Sequence, residues 1–236
     1  MKVFAVTSGN GGVGKSCVAA YLGVAFAKMG KKSLLVEAGA QARSLDMITA
    51  TRNTVFDFAD VAAGACSPAD AITPTGLQAA LSLLAGPPLP VCMEGNRLDC
   101  LSAEDFAGFD IVILDGVYDA LPHQLVDTII LVTTPESMSV RACEQYAGAL
   151  RQKGLPEIRL VINQVPAQVL PMQDIRDFDD IIDRIGAQLL GVVPRSPKLQ
   201  YSANNGLPIS EQSLTVQIFD NIAARLTGDI RPLLVC

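Results

Sequence analysis

The sequence is poor in several residue types that would indicate particular chemistries. It contains no Trp, a single His and only 5 % aromatic residues. Its six cysteines form no CxxC pair and none has a histidine at ligand spacing, so the sequence predicts neither a zinc site nor a disulfide framework. We therefore expect reduced cysteines and a cytoplasmic protein.

An excess of positive charge and long hydrophobic runs are also missing. Eighteen basic residues stand against twenty-four acidic ones, a net charge of -6, so there is no direct signal for nucleic-acid binding. Four apolar residues before Thr7 are too few for a signal peptide, and no apolar run approaches the ~18 residues of a membrane span. The eight residues after Gly228 include Pro232, and we expect no stable membrane anchor there.

Short apolar runs alternate with segments of helical period along the whole chain. This alternation predicts one α/β domain over 1–236, a three-layer fold with a mainly parallel sheet of about seven strands and helices on both faces. The predicted strands are 3–6, 33–37, 80–86, 110–115, 127–134, 158–163 and 189–194. The predicted helices are 15–29, 54–62, 136–152, 171–186 and 211–227, and 87–100 is predicted to be a loop or a shortened helix.

The nonapeptide SGNGGVGKS, residues 8–16, fits the spacing GxxxxGK[ST] between a predicted strand and a predicted helix. In that context the backbone amides of the loop and the start of the helix can hold phosphate groups. Lys15 would reach the β- and γ-phosphates, and the Ser16 hydroxyl could bind Mg²⁺. The predicted nucleotide-binding residues in this stretch are Gly11, Gly12, Val13, Gly14, Lys15, Ser16 and Cys17.

A second predicted strand ends in a carboxylate. In DIVILD, residues 110–115, four apolar residues precede Asp115. A strand-end Asp alone is usually a turn residue, but beside a phosphate loop it is well placed to hold Mg²⁺ and its water shell. Ser16 and Asp115 are thus the predicted metal residues.

The doubled glycine in GxGGVGK[ST] at the N-terminus resembles the deviant phosphate loop of the MinD/ParA family of ATPases. Further resemblance lies in LLVEAGAQARSLDMI (34–48), DTIILVTTPESMSVRAC (127–143) and GVVPRSPKLQYSANNGLPI (191–209), the last favouring the MinD branch. The resemblance implies ATP or ADP with Mg²⁺ as ligands, Asn163 as the reader of the adenine amino group, and Pro194 in a loop on the adenine side.

Three positions depart from the family pattern. The family places a second lysine at Asn10, which reaches the phosphates of a partner in an ATP-bound dimer, and its Asp-x-Asp motif appears here as Glu37, Ala38 and Gly39. Glu37 could still reach the metal, whereas Gly39 cannot orient a water molecule. Asp119 is a candidate replacement, so the predicted catalytic residues are Lys15, Glu37 and Asp119. Each loss could lower the rate by about 10²-fold, and we expect slow hydrolysis.

The resemblance implies a nucleotide-dependent dimerisation switch that acts with a regulatory protein partner, in placing the division site or other cellular machinery. Two alternatives remain open at this point: a nucleotide-binding adaptor that does not hydrolyse ATP, and a metabolic phosphotransferase or synthetase on the same fold. An electron-transfer ATPase is disfavoured, because DGVYDAL (115–121) has no cysteine for a cluster.

Overall fold

The computed structural model describes residues 1–37, 43–88, 100–116, 125–154, 157–166 and 178–234. Within these residues the chain forms one sheet with helices on both faces. The strands are β1 (Lys2–Thr7), β2 (Ser33–Glu37), β3 (Ile72–Pro74), β4 (Leu81–Leu84), β5 (Ile111–Asp115), β6 (Thr128–Thr133), β7 (Glu157–Val165) and β8 (Gln188–Pro194). The helices are α1 (Lys15–Lys28), α2 (Leu45–Ile48), α3 (Phe58–Ala62), α4 (Pro68–Ala71), α5 (Ser137–Gln152), α6 (Phe178–Ile185), α7 (Pro197–Asn205) and α8 (Leu214–Leu226).

The strand order is β3-β4-β2-β5-β1-β6-β7-β8. Only the edge pair β3 and β4 is antiparallel; the other neighbours run parallel. The pairing places Val6 of β1 and Glu37 of β2 on either side of Asp115 in β5. The carboxyl ends of three central strands therefore meet at one edge of the sheet, where ligands bind in open α/β folds.

The core has two parts, one on each face of the sheet, so the central strands are buried on both sides. One hydrophobic cluster joins the sheet to α1 and α8, and the other joins it to α3, α5 and α6. The strands between these layers read as near-continuous apolar runs for this reason, as in VFAV and IVIL. Among the described residues, no helix combines the length and the apolar character needed to cross a membrane.

The predicted fold class is confirmed, with eight strands instead of about seven. The additional strand is β3, a three-residue antiparallel edge that ends in Pro74, a residue suited to an edge because it cannot donate a backbone hydrogen bond. The helix predicted over 54–62 begins only at Phe58, because the Asp57 carboxylate caps it by accepting from the N–H groups of Ala59 and Asp60.

Two other predicted segments differ from the structure. The stretch 191–209, which resembles the family's adenine-side loop, contains a helix that was not predicted, α7, which starts where Ser196 Oγ accepts from Leu199 N–H at 3.2 Å and Pro197 occupies the first turn. The described part of the helix predicted over 171–186 is α6. Most of the irregular segment predicted over 87–100 lies outside the described residues.

Candidate functional site

The loop 8–14 connects β1 to α1 at the carboxyl edge of the sheet. Gly12 and Gly14 have φ angles of 80° and 88°, in the left-handed region that glycine adopts at little cost, and Gly14 is the N-terminal cap of α1. The first N–H groups of α1 have no partner in the preceding turn of a helix and point toward the loop. This arrangement suits an anion, because these amides and the helix dipole are positive at that end.

Gly9 presses the loop against α5. A Cβ atom at this position would lie 2.2 Å from the carbonyl oxygen of Ala142 and 2.7 Å from the amide nitrogen of Cys143. Both are backbone atoms inside α5, so they have little freedom to move aside. Glycine is therefore required at position 9 by close approach, and α5 forms one wall of the loop.

A bulge in β7 supplies the other wall. The register with β8 shifts between Ile162 and Val165, and Gln164 has a φ angle of 57°, unusual for a residue with a side chain. The distortion directs two consecutive amide side chains to the loop. Asn163 Nδ2 donates to the Val13 carbonyl at 2.7 Å, and Gln164 Nε2 donates to the Gly12 carbonyl at 2.9 Å. These two hydrogen bonds tie the loop to the end of β7.

Lys15, Ser16 and Asp115, which the sequence predicts to bind nucleotide and Mg²⁺, lie close together in the structure. The Ser16 hydroxyl donates to the Asp115 carboxylate, and Lys15 is near enough to influence the charge of that carboxylate. Burial raises the pKa of Asp115 to about 7, with Glu37 adding to the increase and both Ser16 and Lys15 opposing it. Burial also lowers the pKa of Lys15, although Asp115 partly restores it.

The Asp115 carboxylate has one oxygen that suits a metal ligand. Its Oδ1 is buried and has no hydrogen-bond partner among the described residues. A buried carboxylate oxygen without a donor is costly, and a bound cation would offset that cost. Mg²⁺ prefers oxygen ligands and commonly uses one or two carboxylates together with phosphate oxygens, so Asp115 and Ser16 fit this ion.

Comparisons with known proteins decide the family. Residues 4–209 match the family model described as the CobQ/CobB/MinD/ParA nucleotide binding domain. The chain belongs to this family. The septum site-determining protein MinD of Synechocystis sp. is 30 % identical, the match covering 99 % of this chain and 92 % of that protein. MinD of Thermotoga maritima is 28 % identical, over 98 % of this chain and 90 % of that protein.

Solved MinD structures agree with this assignment. A MinC:MinD cell division protein complex from Aquifex aeolicus superposes with a TM-score of 0.87 at 28 % identity, covering 100 % of this chain and 99 % of that one. A second structure, of the Aquifex aeolicus MinD cell division protein, gives a TM-score of 0.85 at 28 % identity, with 99 % and 100 % covered. The likeness to MinD therefore extends over the whole chain.

Glu37, one of the positions that depart from the MinD/ParA pattern, has a side chain that is held by hydrogen bonds within the chain. Its side chain is buried, and four hydrogen-bond donors surround its carboxylate. Burial raises the pKa of Glu37, while the donors oppose that increase. The sequence suggested that Glu37 could reach the metal; in the structure its oxygens accept hydrogen bonds from the start of α2 and from Gly86, two residues after β4.

Asn10 contacts its own chain instead of projecting freely. Ser139 Oγ, in the first turn of α5, donates to Asn10 Oδ1 at 3.3 Å and accepts from the Thr134 amide at 3.1 Å. The Asn10 carbonyl also accepts from Ser8 Oγ. The position of the family's second lysine is thus occupied by a side chain that links the loop to α5.

The remaining predicted residues are distributed as follows. Cys17 lies in the first turn of α1, where burial and Asp115 raise the pKa of its thiol to about 12, so it is an uncharged neighbour of the site. Pro194 ends β8 and pairs with Val165 just beyond the bulge. Gly11 is exposed on the loop. Asp119 and Gly39 lie outside the described residues.

Two residues that contact the loop were not predicted from the sequence. Gln164 and Ser139 belong to no phosphate-loop motif, and each contacts the loop across more than a hundred residues of sequence. The only sequence signal was proximity: Gln164 follows Asn163, and Ser139 lies within the segment TTPESMS that resembles the family. Neither clue indicated that the side chain would point at the loop.

Proposed function

We propose that this chain is an ATP-dependent switch of the MinD type, which binds ATP with Mg²⁺, pairs with a second copy in the ATP state and hydrolyses ATP slowly. The observation that carries the proposal is the cluster of Lys15, Ser16 and Asp115 beneath a glycine loop at the carboxyl edge of the sheet. In the paired state it would engage a regulatory protein partner in division-site placement, a role supported by its likeness to MinD proteins.

The residues of the chain have separate tasks in this proposal. The amides of Gly11, Gly12, Val13 and Gly14 would bind the β-phosphate, and Lys15 would neutralise charge on the β- and γ-phosphates. Ser16 and Asp115 would hold Mg²⁺, whose chemistry there would be to neutralise charge on the phosphate groups. The chain's own amides and Lys15 thereby orient the triphosphate for attack.

Asn163 would combine two contacts. Its amide nitrogen carries two N–H groups, of which one donates to Val13, so the side chain retains a donor and an acceptor for an adenine edge. Pro194 and Cys17 would pack beside the base and the phosphates. Because Asn163 also holds the loop, replacing it should weaken the binding of every nucleotide, and it should weaken the binding of ATP more than that of GTP.

The site is tested with the substitution Lys15→Ala. Lys31→Ala is the matched control, because it is the same substitution at an exposed position. Isothermal titration with Mg-ATP should show binding by the control and none by Lys15→Ala, since Lys15 is the cation of the motif. Unchanged affinity in Lys15→Ala would remove the loop from the nucleotide site. Sedimentation with ADP, ATP and a slowly hydrolysed analogue then tests the pairing.

A nucleotide-binding adaptor that does not hydrolyse ATP is a second candidate. It is favoured by Glu37 and Asn10, whose side chains are both engaged by their own chain at positions where the family carries catalytic or dimer-bridging charges. Phosphate release measured alongside sedimentation separates the two functions: ATP-linked pairing without phosphate release supports the adaptor.

A further inference from the structure

Glu37 is the last residue of β2 and the neighbour of Asp115 in the sheet. Its side chain is buried, and an ionised carboxylate inside a protein requires hydrogen-bond donors to remain there. It has four. Oε1 accepts from Ser44 N–H at 2.6 Å, from Ser44 Oγ at 3.1 Å and from Leu45 N–H at 3.2 Å, and Oε2 accepts from Gly86 N–H at 3.2 Å.

These donors belong to two separate segments. Ser44 is the cap of α2 and its own side chain makes no capping bond to that helix, so the Glu37 carboxylate takes the place of the cap by accepting the first amides of the helix. Gly86 comes two residues after β4. A single side chain thereby joins the start of α2 to the end of a neighbouring strand.

The surrounding backbone is shaped to this side chain. A Cβ at position 86 would lie 3.0 Å from the Glu37 carbonyl oxygen and 3.1 Å from its Cγ, so the Gly86 backbone approaches as close as glycine alone comfortably allows. A second link runs in the same direction, because Arg43 N–H donates to the Pro87 carbonyl at 3.2 Å. Segments 43–45 and 86–87 are therefore connected at two points.

The hydrogen bonds also bear on metal binding. Three of the four donors converge on Oε1 and fully occupy its two lone pairs, and Oε2 already accepts from Gly86, so each oxygen of Glu37 has a donor. Binding a cation through Oε1 would require breaking contacts with Ser44 or Leu45. By contrast, the adjacent Asp115 has a buried oxygen with no donor among the described residues.

We propose that Glu37 is a positioning residue that fastens segment 43–48 to the end of β4, next to the site, and that it does so without serving as a metal ligand. The inference rests on the proposed function only in taking Asp115 as the metal carboxylate. The fastening itself needs neither nucleotide nor metal, since every donor to Glu37 belongs to the chain. In the proposed switch it would fix where segment 43–48 lies relative to the phosphates.

The test compares Glu37→Asp, Glu37→Gln and the exposed control Glu211→Gln. Asp is one methylene shorter and cannot reach both segments, whereas it remains a metal-binding carboxylate. Amide hydrogen exchange in the nucleotide-free, metal-free protein should show protection of Ser44, Leu45 and Gly86 falling about 10- to 100-fold in Glu37→Asp, less in Glu37→Gln, and staying unchanged in the control. Mg²⁺ should strengthen ADP binding equally in all of them.

Unchanged protection together with lost Mg²⁺ dependence would overturn the proposal and make Glu37 a metal ligand. If the Glu37 variants do not fold, Gly86→Ala serves in their place, because the three atoms nearest to its methyl group all belong to Glu37. Lower protection of Ser44 and Leu45 in Gly86→Ala supports the connection, and unchanged protection refutes it. Failure of the native chain to bind any nucleotide would refute the proposed function while leaving the exchange result decisive for Glu37.

Discussion

Replacing Gly9 by alanine should destabilise the nucleotide-free protein far more than the same change at Gly11. The added Cβ would lie 2.2 Å from the Ala142 carbonyl oxygen, whereas ordinary contact begins at 3.4 Å, so about 1.2 Å of overlap must be relieved. The obstacle is the backbone of α5, which is held by its own helical hydrogen bonds. Overpacking a core typically costs about 1–3 kcal/mol, and we expect the upper end of that range here.

Gly11 provides the matched control, because no atom lies within 4 Å of a Cβ built there and its φ angle is not in the left-handed region. Urea denaturation without nucleotide should give Gly11→Ala a free energy of unfolding within about 0.5 kcal/mol of the native chain. For Gly9→Ala a loss of about 3 kcal/mol lowers the midpoint by about 1 M. Equal midpoints for the two variants would refute the packing of the loop against α5.

The remaining predictions concern charge and association. Because burial raises the pKa of Asp115 to about 7, the contribution of this carboxyl to the stability of the metal-free protein is full below its usual pKa near 3.8 and is lost as the pH rises through about 7. Asp115→Asn should therefore flatten the fall of the urea midpoint with pH, measured in EDTA. A pH profile that is the same in Asp115→Asn and in the native chain would contradict this prediction. Asn10→Lys should tighten ATP-dependent pairing in sedimentation with little gain in rate, while adding Gly39→Asp should raise phosphate release; brisk release by the native chain that survives Asp119→Ala would contradict this reasoning. We also expect no ATP-dependent co-sedimentation with anionic liposomes, because Leu233 and Leu234 pack against the core clusters, and such co-sedimentation would show that the tail can detach.

Local patterns predicted most of the fold. The runs VFAV, SLLVE and DIVILD are strands because they are long enough and apolar enough to be buried on both faces, and each lies where it was predicted. The phosphate loop was predictable for a related reason, since its glycines, lysine and serine are consecutive in sequence. Asp115 followed from its place at the end of a buried strand.

Contacts between distant segments could not be predicted in this way. The β7 bulge that directs Asn163 and Gln164 to the loop depends on a register shift against β8, which leaves no mark in the sequence of β7. The start of α7 has a local signal in Ser196 and Pro197, but the stretch was interpreted only through its resemblance to the family's adenine-side loop. The partners of Glu37 come from residues 44, 45 and 86, and nothing in the pattern of any one segment reveals that they converge.

The departures at Asn10 and Glu37 share a physical consequence. At both positions a residue that the family uses toward ligand or partner is replaced by one whose side-chain oxygens accept hydrogen bonds within the same chain, from Ser139 in one case and from Ser44, Leu45 and Gly86 in the other. Satisfied groups gain less from a new partner, because old hydrogen bonds must break first. In the proposed switch, both replacements should therefore stabilise the unpaired chain and reduce what ATP adds to pairing, while leaving the proposed role of Lys15 in nucleotide binding unchanged.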